Sequence, residues 1–230
     1  MRLKNNILIL DTETVGDFEK PLVHDLGYAI IDKNFTVLTK KRFLVKQVHE
    51  TNWTKRSEFF QSKACLYEQD IENGVIIPQY WNDIVKEFIS DIKTYKVNVI
   101  SAYNLAFDYR ALNFTEQFFN NGSLTIENLF DKKRKLCLWN LACETVLNTD
   151  EFRKFCDEHD FKSVKGNYLT NAEVAYRYLT QDIEFQEEHT ALSDVLIETA
   201  ILQAIVNRCK GIPQYGLAYS VWRKVQKPSE

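Results

Sequence analysis

No uninterrupted apolar stretch in this chain approaches the ~20 residues that a membrane-spanning helix requires, so no membrane span is expected. Cysteine is scarce: five residues, an odd number without a Cys-x-x-Cys pair, which argues against a disulfide framework or a zinc ribbon. Cys156 and His159 offer half a zinc site at most, and a packed thiol is the expectation. An excess of basic charge is missing too. Lys and Arg total 29 against 32 Asp and Glu, giving a net charge of -3 and a pI near 5.9. The overall field will therefore not draw in a polyanion, and any such attraction must be local. There is no internal repeat, low-complexity tract or linker. The opening Met1-Arg2-Leu3-Lys4-Asn5-Asn6 leads into a strand rather than a signal peptide, so the cytoplasm is the expected location.

What is present is an ordinary globular composition, 45% hydrophobic and 27% charged over 230 residues. That length suits one domain with a sizeable core. The informative feature is where the acids fall. Asn6-Ile7-Leu8-Ile9-Leu10 is an unbroken aliphatic run that turns abruptly into Asp11-Thr12-Glu13-Thr14. Such a run predicts a strand buried on both faces in the middle of a sheet. Strand side chains alternate, so Asp11 and Glu13 share the face of Ile7 and Ile9. Two carboxylates side by side at the end of a dry strand repel each other and lose hydration, so a cation between them is the natural remedy. Hard divalent ions take oxygen ligands, which points to Mg²⁺ or Mn²⁺. Taken alone, the same Asp-x-Glu reads sooner as a pair of loop acids just past a strand end.

A second place repeats the problem on a helix. From Thr190 to Arg208 the composition is helical. Asp194, Ile197, Ile201 and Ile205 form one stripe, and Leu192, Val195, Thr199 and Leu202 another. A helix apolar nearly all round is packed on several sides, so Asp194 needs a partner, and a metal serves. His189 lies about 140° around an ideal helix from Asp194, so it belongs in the loop or first turn before the helix. By itself it reads as a surface histidine amid Glu184, Glu187 and Glu188. The acidic run Asp182, Glu184, Glu187 and Glu188 is expected to raise its pKa, unless it forms only a solvated face.

Between these lies Val97-Asn98-Val99-Ile100-Ser101-Ala102-Tyr103-Asn104, a short strand ending in a residue suited to cap the next helix. Asp108 then falls near that helix's start, where the macrodipole favours an anion. Phe107, Ala111, Phe114 and Phe118 make a stripe expected in the core, with Tyr103 and Phe107 as further candidates to touch a substrate. Strands are expected near 6–12, 26–32, 35–46 and 97–103, with a hairpin turn at Lys33-Asn34. Helices are expected near 79–95, 104–120, 139–147, 171–180 and 190–208. Residues 47–77, with Trp53, Phe59 and Phe60, read as an inserted helical cover, and 120–171 as helical elaboration. The basic groups Lys132, Lys133, Arg134 and Lys135, then Lys40, Lys41, Arg42 and Lys46, then Arg223, Lys224 and Lys227, could contact phosphates or simply be solvated.

The three segments Asp11-Thr12-Glu13-Thr14, Asn104-Leu105-Ala106-Phe107-Asp108 and His189-Thr190-Ala191-Leu192-Ser193-Asp194 resemble the three exonuclease motifs of the DEDD superfamily in its histidine-bearing branch. That branch includes the proofreading subunits of bacterial DNA polymerases, RNase T and oligoribonuclease. The tyrosine-bearing branch would place Tyr where Thr190 stands. The resemblance spans roughly residues 6–206, and the ordered triple is specific where one motif would be weak.

It implies an α/β fold, a ribonuclease H-like mixed sheet flanked by helices. It also implies an exonuclease domain over 1–210, with a helical insertion at about 47–95 and elaboration at about 120–171, then a C-terminal extension over 211–230. Asp11, Glu13 and Asp194 would hold one Mg²⁺ or Mn²⁺ ion, with Asp11 and Asp108 holding a second. His189 would be the general base, and Thr12, Thr14, Asn104 and Tyr103 would meet the terminal nucleotide. The implied activity is 3′→5′ hydrolysis of DNA to nucleoside 5′-monophosphates. An exoribonuclease of the same chemistry is the alternative, and a catalytically inactive nucleic-acid-binding relative is less favoured. The implied partner is a nucleic acid with a free 3′ end, with a DNA polymerase or replication complex beyond it.

Overall fold

The computed structural model describes residues 5–51, 58–209 and 221–226, with the side chains of 58–62 left aside; Trp53, Phe59, Phe60 and Lys227 therefore offer no side-chain description. Five strands form one mixed sheet in the order β3-β2-β1-β4-β5: β1 Ile7–Val15, β2 Leu22–Ile31, β3 Val37–Leu44, β4 Val99–Ala102 and β5 Arg134–Cys137. β1, β2 and β3 are consecutive and antiparallel, while β4 and β5 run parallel to β1. Helices cover both faces, which is the ribonuclease H-like arrangement. They are α1 Lys46–His49, α2 Glu58–Glu72, α3 Trp81–Thr94, α4 Leu105–Phe119, α5 Thr125–Asp131, α6 Leu138–Thr145, α7 Asp150–Glu158, α8 Ala172–Thr180, α9 Ala191–Arg208 and α10 Trp222–Val225.

The aliphatic run divides by parity. Ile7 and Ile9 enter the layer of α6, α8 and α9, whereas Leu8 and Leu10 enter the layer of α3 and α4. Burial on both faces is what an unalternating run demands of a central strand. β1 extends beyond the expected 6–12, so Asp11 and Glu13 lie inside the strand, paired with Gly27 and Asp25, rather than just past its end. The register slips between Glu13 and Thr14, opposite His24, a bulge that bends the strand next to the acids.

Three other expectations need correction. The stretch 120–171 is not purely helical, because Arg134–Cys137 is the parallel edge strand β5. Half of that strand is solvated, so its pattern carries no strong strand signal. On α4 the buried face is Leu105, Asp108, Ala111, Leu112, Thr115 and Glu116. The phenylalanine stripe is rotated outward, leaving Phe118 49% exposed. Turning Asp108 inward fixes the helix rotation and moves Phe107 and Phe114 to the flank. Asn104 stands at the N-cap of α4, but its side chain makes no capping hydrogen bond.

The helix layer approaches the sheet closely where α9 begins. A Cβ at Gly27 would stand 2.3 Å from the Ala191 carbonyl carbon and 2.5 Å from the Leu192 nitrogen. Glycine in the middle of β2 thus lets the N-terminus of α9 lie directly on the sheet beside Asp11. After α9, Val221 and Val225 return to the same core, and the Val225 carbonyl accepts from Arg153 at 3.2 Å. No helix among the described residues is long and apolar enough to cross a membrane.

Candidate active site

At the carboxyl ends of β1 and β4 an open pocket of about 230 Å³ is lined by Asp11, Thr12, Glu13, Tyr103, Asn104, Phe107, Asp108, Ala172, Glu187, Asp194 and Glu198. Each motif reaches it by its own local logic. β1 delivers Asp11 and Glu13 by alternation. The first turn of α4 delivers Asp108, whose Oδ1 accepts from the Thr12 N–H at 3.1 Å and the Thr12 hydroxyl at 2.9 Å. α9 delivers Asp194 in its first turn, fixed by a capping box in which the Thr190 hydroxyl accepts from the Ser193 N–H. His189 lies outside the helix with φ 53°, the left-handed region that a non-glycine residue occupies under constraint. One ligand atom from each of Glu13, His189 and Asp194 falls within 4.8 Å of the other two, which is metal-binding spacing.

The electrostatics are those of acids crowded together out of water. Burial, then Lys63 acting in the opposite sense and Asp194 in the same sense, leaves the Glu13 carboxyl pushed up to about 7. Burial pushes Asp108 up to about 7 against the Thr12 hydrogen bonds, and Asp194 up to about 6. Asp11 is raised well above the usual carboxylate range, first by burial and then by Asp108 and Glu198. A set of acids that resists ionisation when empty is one that a divalent cation would stabilise.

His189 departs from expectation. Its ring Nδ1 stands 3.5 Å from Glu187 Oε2, yet its pKa is lowered rather than raised. Burial is the main cause, with the Lys63 cation adding to it and Glu173 opposing. Glu187 itself is pushed up to about 7 by burial and by Asp194.

Lys63 was not singled out in the sequence. Its Nζ donates to the His189 carbonyl at 2.6 Å and lies 3.8 Å from Glu13 Oε1. It comes from α2, part of the inserted cover, which docks on polar side chains at i, i+4 and i+7. After Lys63, the Tyr67 hydroxyl donates to Asp25 Oδ2 at 3.1 Å, and Asp70 pairs with Arg42 Nη1 at 2.7 Å. Asp25 Oδ2 also accepts from Arg42 Nε at 2.9 Å and from the Ala191 N–H at 3.4 Å. One buried oxygen thus joins β3, α2 and the start of α9. The i, i+4, i+7 polar stripe was the available signal. Glu198, one turn beyond Asp194 on a largely apolar helix, was likewise legible as an oddity and passed over.

Not every expected residue joins the pocket. Thr12 lines the pocket but is buried and committed to Asp108, so it positions that acid rather than offering a free donor. Thr14 does not line the pocket. Tyr103 and Asn104 do, with the Tyr103 hydroxyl donating to the Thr170 carbonyl at 2.7 Å. The basic run from Lys132 to Lys135 sits at the opposite end of the sheet, since Arg134 pairs with Val99 at the start of β4. Lys41 is paired with Glu87 and Asp91, Arg42 with Asp25 and Asp70, and Lys224 with Glu144. Cys156 is a fully buried thiol and the His159 ring packs between Phe155 and Phe161, as the packed reading expected.

No protein-family model matches the chain, and no curated protein matches it. Solved structures share its fold. Cell-death related nuclease 4 (CRN-4) superposes with a TM-score of 0.54 at 14% identity, over 88% of this chain and 64% of that one. E. coli Exonuclease I in complex with a dA16 oligonucleotide gives 0.55 at 16% identity, over 90% of this chain and 42% of that one. The zinc-bound Exonuclease I complex with single-stranded DNA gives 0.56 at 14% identity. This chain therefore spans under two thirds of either relative's length, and the likeness establishes the ribonuclease H-like fold.

Proposed function

We propose that this chain is a metal-dependent 3′→5′ exonuclease of the histidine-bearing DEDD branch, acting on DNA ends. The observation that carries the reading is the convergence of Asp11, Glu13, Asp108 and Asp194, from three distant segments, on one pocket, with His189 beside it at metal-binding distance of Glu13 and Asp194. The donor set fits Mg²⁺ or Mn²⁺, because it is dominated by carboxylates whose burial leaves them short of positive charge. Bound there, two such ions would polarise the scissile phosphate and lower the pKa of an attacking water.

The protein's own part follows from its side chains. Asp11, Glu13 and Asp194 would hold one ion, and Asp11 with Asp108 the second. Thr12 keeps Asp108 in register through two donors to one oxygen. Glu187 beside His189 Nδ1 would orient the ring for its part as base. The lowered pKa keeps that imidazole neutral at physiological pH, the state a base requires. At the mouth, Phe18 is 69% exposed and stacks on Phe107 at 6.0 Å, with the Arg110 guanidinium 4.0 Å from the Phe18 ring centre. An exposed aromatic beside a cation suits an unpaired terminal base, since stacking on an aromatic is sequence-tolerant. Residues 1–210 would be the exonuclease domain and 211–230 an extension that returns α10 to its core.

The direct test is incubation of 3′-labelled single-stranded DNA, duplex DNA and RNA with Mg²⁺, Mn²⁺ or EDTA. Release of labelled 5′-mononucleotide from DNA, abolished by EDTA, is expected. Preference for RNA would replace DNA as substrate, and no digestion of any substrate would refute the nuclease reading.

A further inference from the structure

The pocket contains a carboxylate that the three motifs leave out. Glu198 follows Asp194 by four residues on α9, so the two side chains project along the same helix face. The residue is 2% exposed. The Tyr103 backbone N–H supports the carboxylate. Oε2, by contrast, is shut from solvent and has no hydrogen-bond partner. Its strongest charged neighbours are Asp108, Asp194 and Glu187, all acids.

Helix packing does not call for this arrangement. α9 is otherwise buried through Val195, Ile197, Thr199, Ile201 and Leu202, and an apolar side chain would fill the same space without desolvating a carboxylate. Buried polar atoms normally find a partner, and a bare oxygen aimed among other acids calls for a missing cation. The pocket also divides into two ends. Glu13, His189 and Asp194 already approach one another at metal-binding distance. Asp108, with Oδ1 committed to Thr12, lies towards Glu198, and Glu198 is among the acids acting most strongly on Asp11. Asp11, Asp108 and Glu198 offer carboxylate oxygens, which suit a hard ion such as Mg²⁺ or Mn²⁺, whereas an imidazole beside Glu13 and Asp194 also accommodates softer ones.

We propose that Glu198 is a fifth carboxylate ligand of the metal centre, completing with Asp11 and Asp108 the site of the second divalent ion. The inference rests on the metal-dependent reading above and adds a residue to it. The test is a Mn²⁺ titration of the whole chain in the presence of excess thymidine 5′-monophosphate, with free Mn²⁺ followed by electron paramagnetic resonance. Wild type, Glu198→Gln, Glu198→Asp and Asp194→Asn are compared, each with a thermal melt in EDTA.

Wild type should bind two ions. Glu198→Gln should keep one at unchanged affinity and weaken the other at least about tenfold, the scale on which metal-site support is felt. Glu198→Asp should recover part of that loss, and Asp194→Asn should weaken the other ion instead. In EDTA, Glu198→Gln should melt above wild type, because a bare buried carboxylate has been removed. The assignment is overturned if Glu198→Gln binds both ions like wild type. It is equally overturned if that variant loses both ions together and melts lower, which would make Glu198 a packing residue. If wild type binds no Mn²⁺ at millimolar concentration, the metal-dependent reading itself falls.

Discussion

Lys63 Nζ donates to the main-chain carbonyl of His189 at 2.6 Å, across 126 residues of sequence. The bond ties the inserted helix α2 to the turn that sets the imidazole over the acids, and it holds a residue whose φ is 53°. Methionine at position 63 keeps the stem and removes the donor. Lys63→Met is expected to lower turnover by about 10- to 100-fold, the scale of a 1 Å misplacement in an active site. Hydrogen exchange at the amides around His189 should accelerate. Turnover within twofold of wild type would show that the tie is incidental.

Gly27→Ala is a test of packing alone. The added methyl would meet the Ala191 and Leu192 backbones at 2.3–2.5 Å, where neither partner has a flexible end to move. Overpacking of this kind destabilises by about 1–3 kcal/mol. In a chain of this length each kcal/mol lowers Tm by about 2–4 °C. Calorimetry showing an unchanged Tm would mean that α9 sits farther from β2 than described.

The metal-free protein should have an inverted acid response. Glu13, Asp108 and Glu187 are pushed up to about 7 and Asp194 to about 6, from ordinary values of 3.8 for Asp and 4.5 for Glu. Folded carboxyls with raised pKa hold protons that the unfolded chain has released, so their contribution to stability falls as pH rises from about 4 to about 7. His24, buried and held down to about 3, acts in the opposite sense, as do His49 and His189, both lowered, but burial also raises Asp11, Asp25 and Glu198, so the raised carboxyls outnumber the lowered imidazoles. In EDTA, Tm should therefore be higher at pH 5 than at pH 7.5. Saturating Mn²⁺ should flatten the slope, because the cation favours the ionised forms. A Tm that rises with pH in EDTA would contradict the crowding of these acids.

Asp194→Asn is expected to abolish turnover, a loss beyond about 100-fold, the upper range for removing even an outer-shell group from a metal site. Unfolding should remain cooperative, since the α9 capping box and apolar stripe are untouched. A variant that turns over near normally would mean that Asp194 is not a ligand.

For His189→Ala, a general base predicts a loss of about 10²- to 10⁴-fold in turnover with Mn²⁺ affinity nearly unchanged. The ring also lies within metal-binding distance of Glu13 and Asp194, so the titration decides between two roles. A tenfold or greater loss of Mn²⁺ affinity would make His189 a ligand rather than a base.

Some of this was readable from local pattern. The run Ile7–Leu10 predicts a central strand because no alternation means burial on both faces, and the stripes of α9 predict a helix packed all round. The same logic marks Asp11, Glu13 and Asp194 as acids in dry places, and the segment order carries the resemblance to exonuclease motifs. β5 escaped notice because Arg134-Lys135-Leu136-Cys137 is only four residues long and half solvated, below any periodic signal. The outward rotation of the α4 phenylalanines escaped for another reason: a stripe shows which residues share a face, not which face the neighbours will cover.

Sequence by itself determined strands β1 to β4, helices α3, α4, α6, α8 and α9, and the unusual positions of the acids, because backbone periodicity and the desolvation of charge are local properties. Only the tertiary structure decided that Lys63 and Glu198 belong beside those acids, that Thr12 serves Asp108, and that His189 has a lowered rather than a raised pKa. Those outcomes depend on which groups lie within a few ångströms in space. Here that is set by the bare Cα of Gly27, the shared oxygen of Asp25 and the docking of α2.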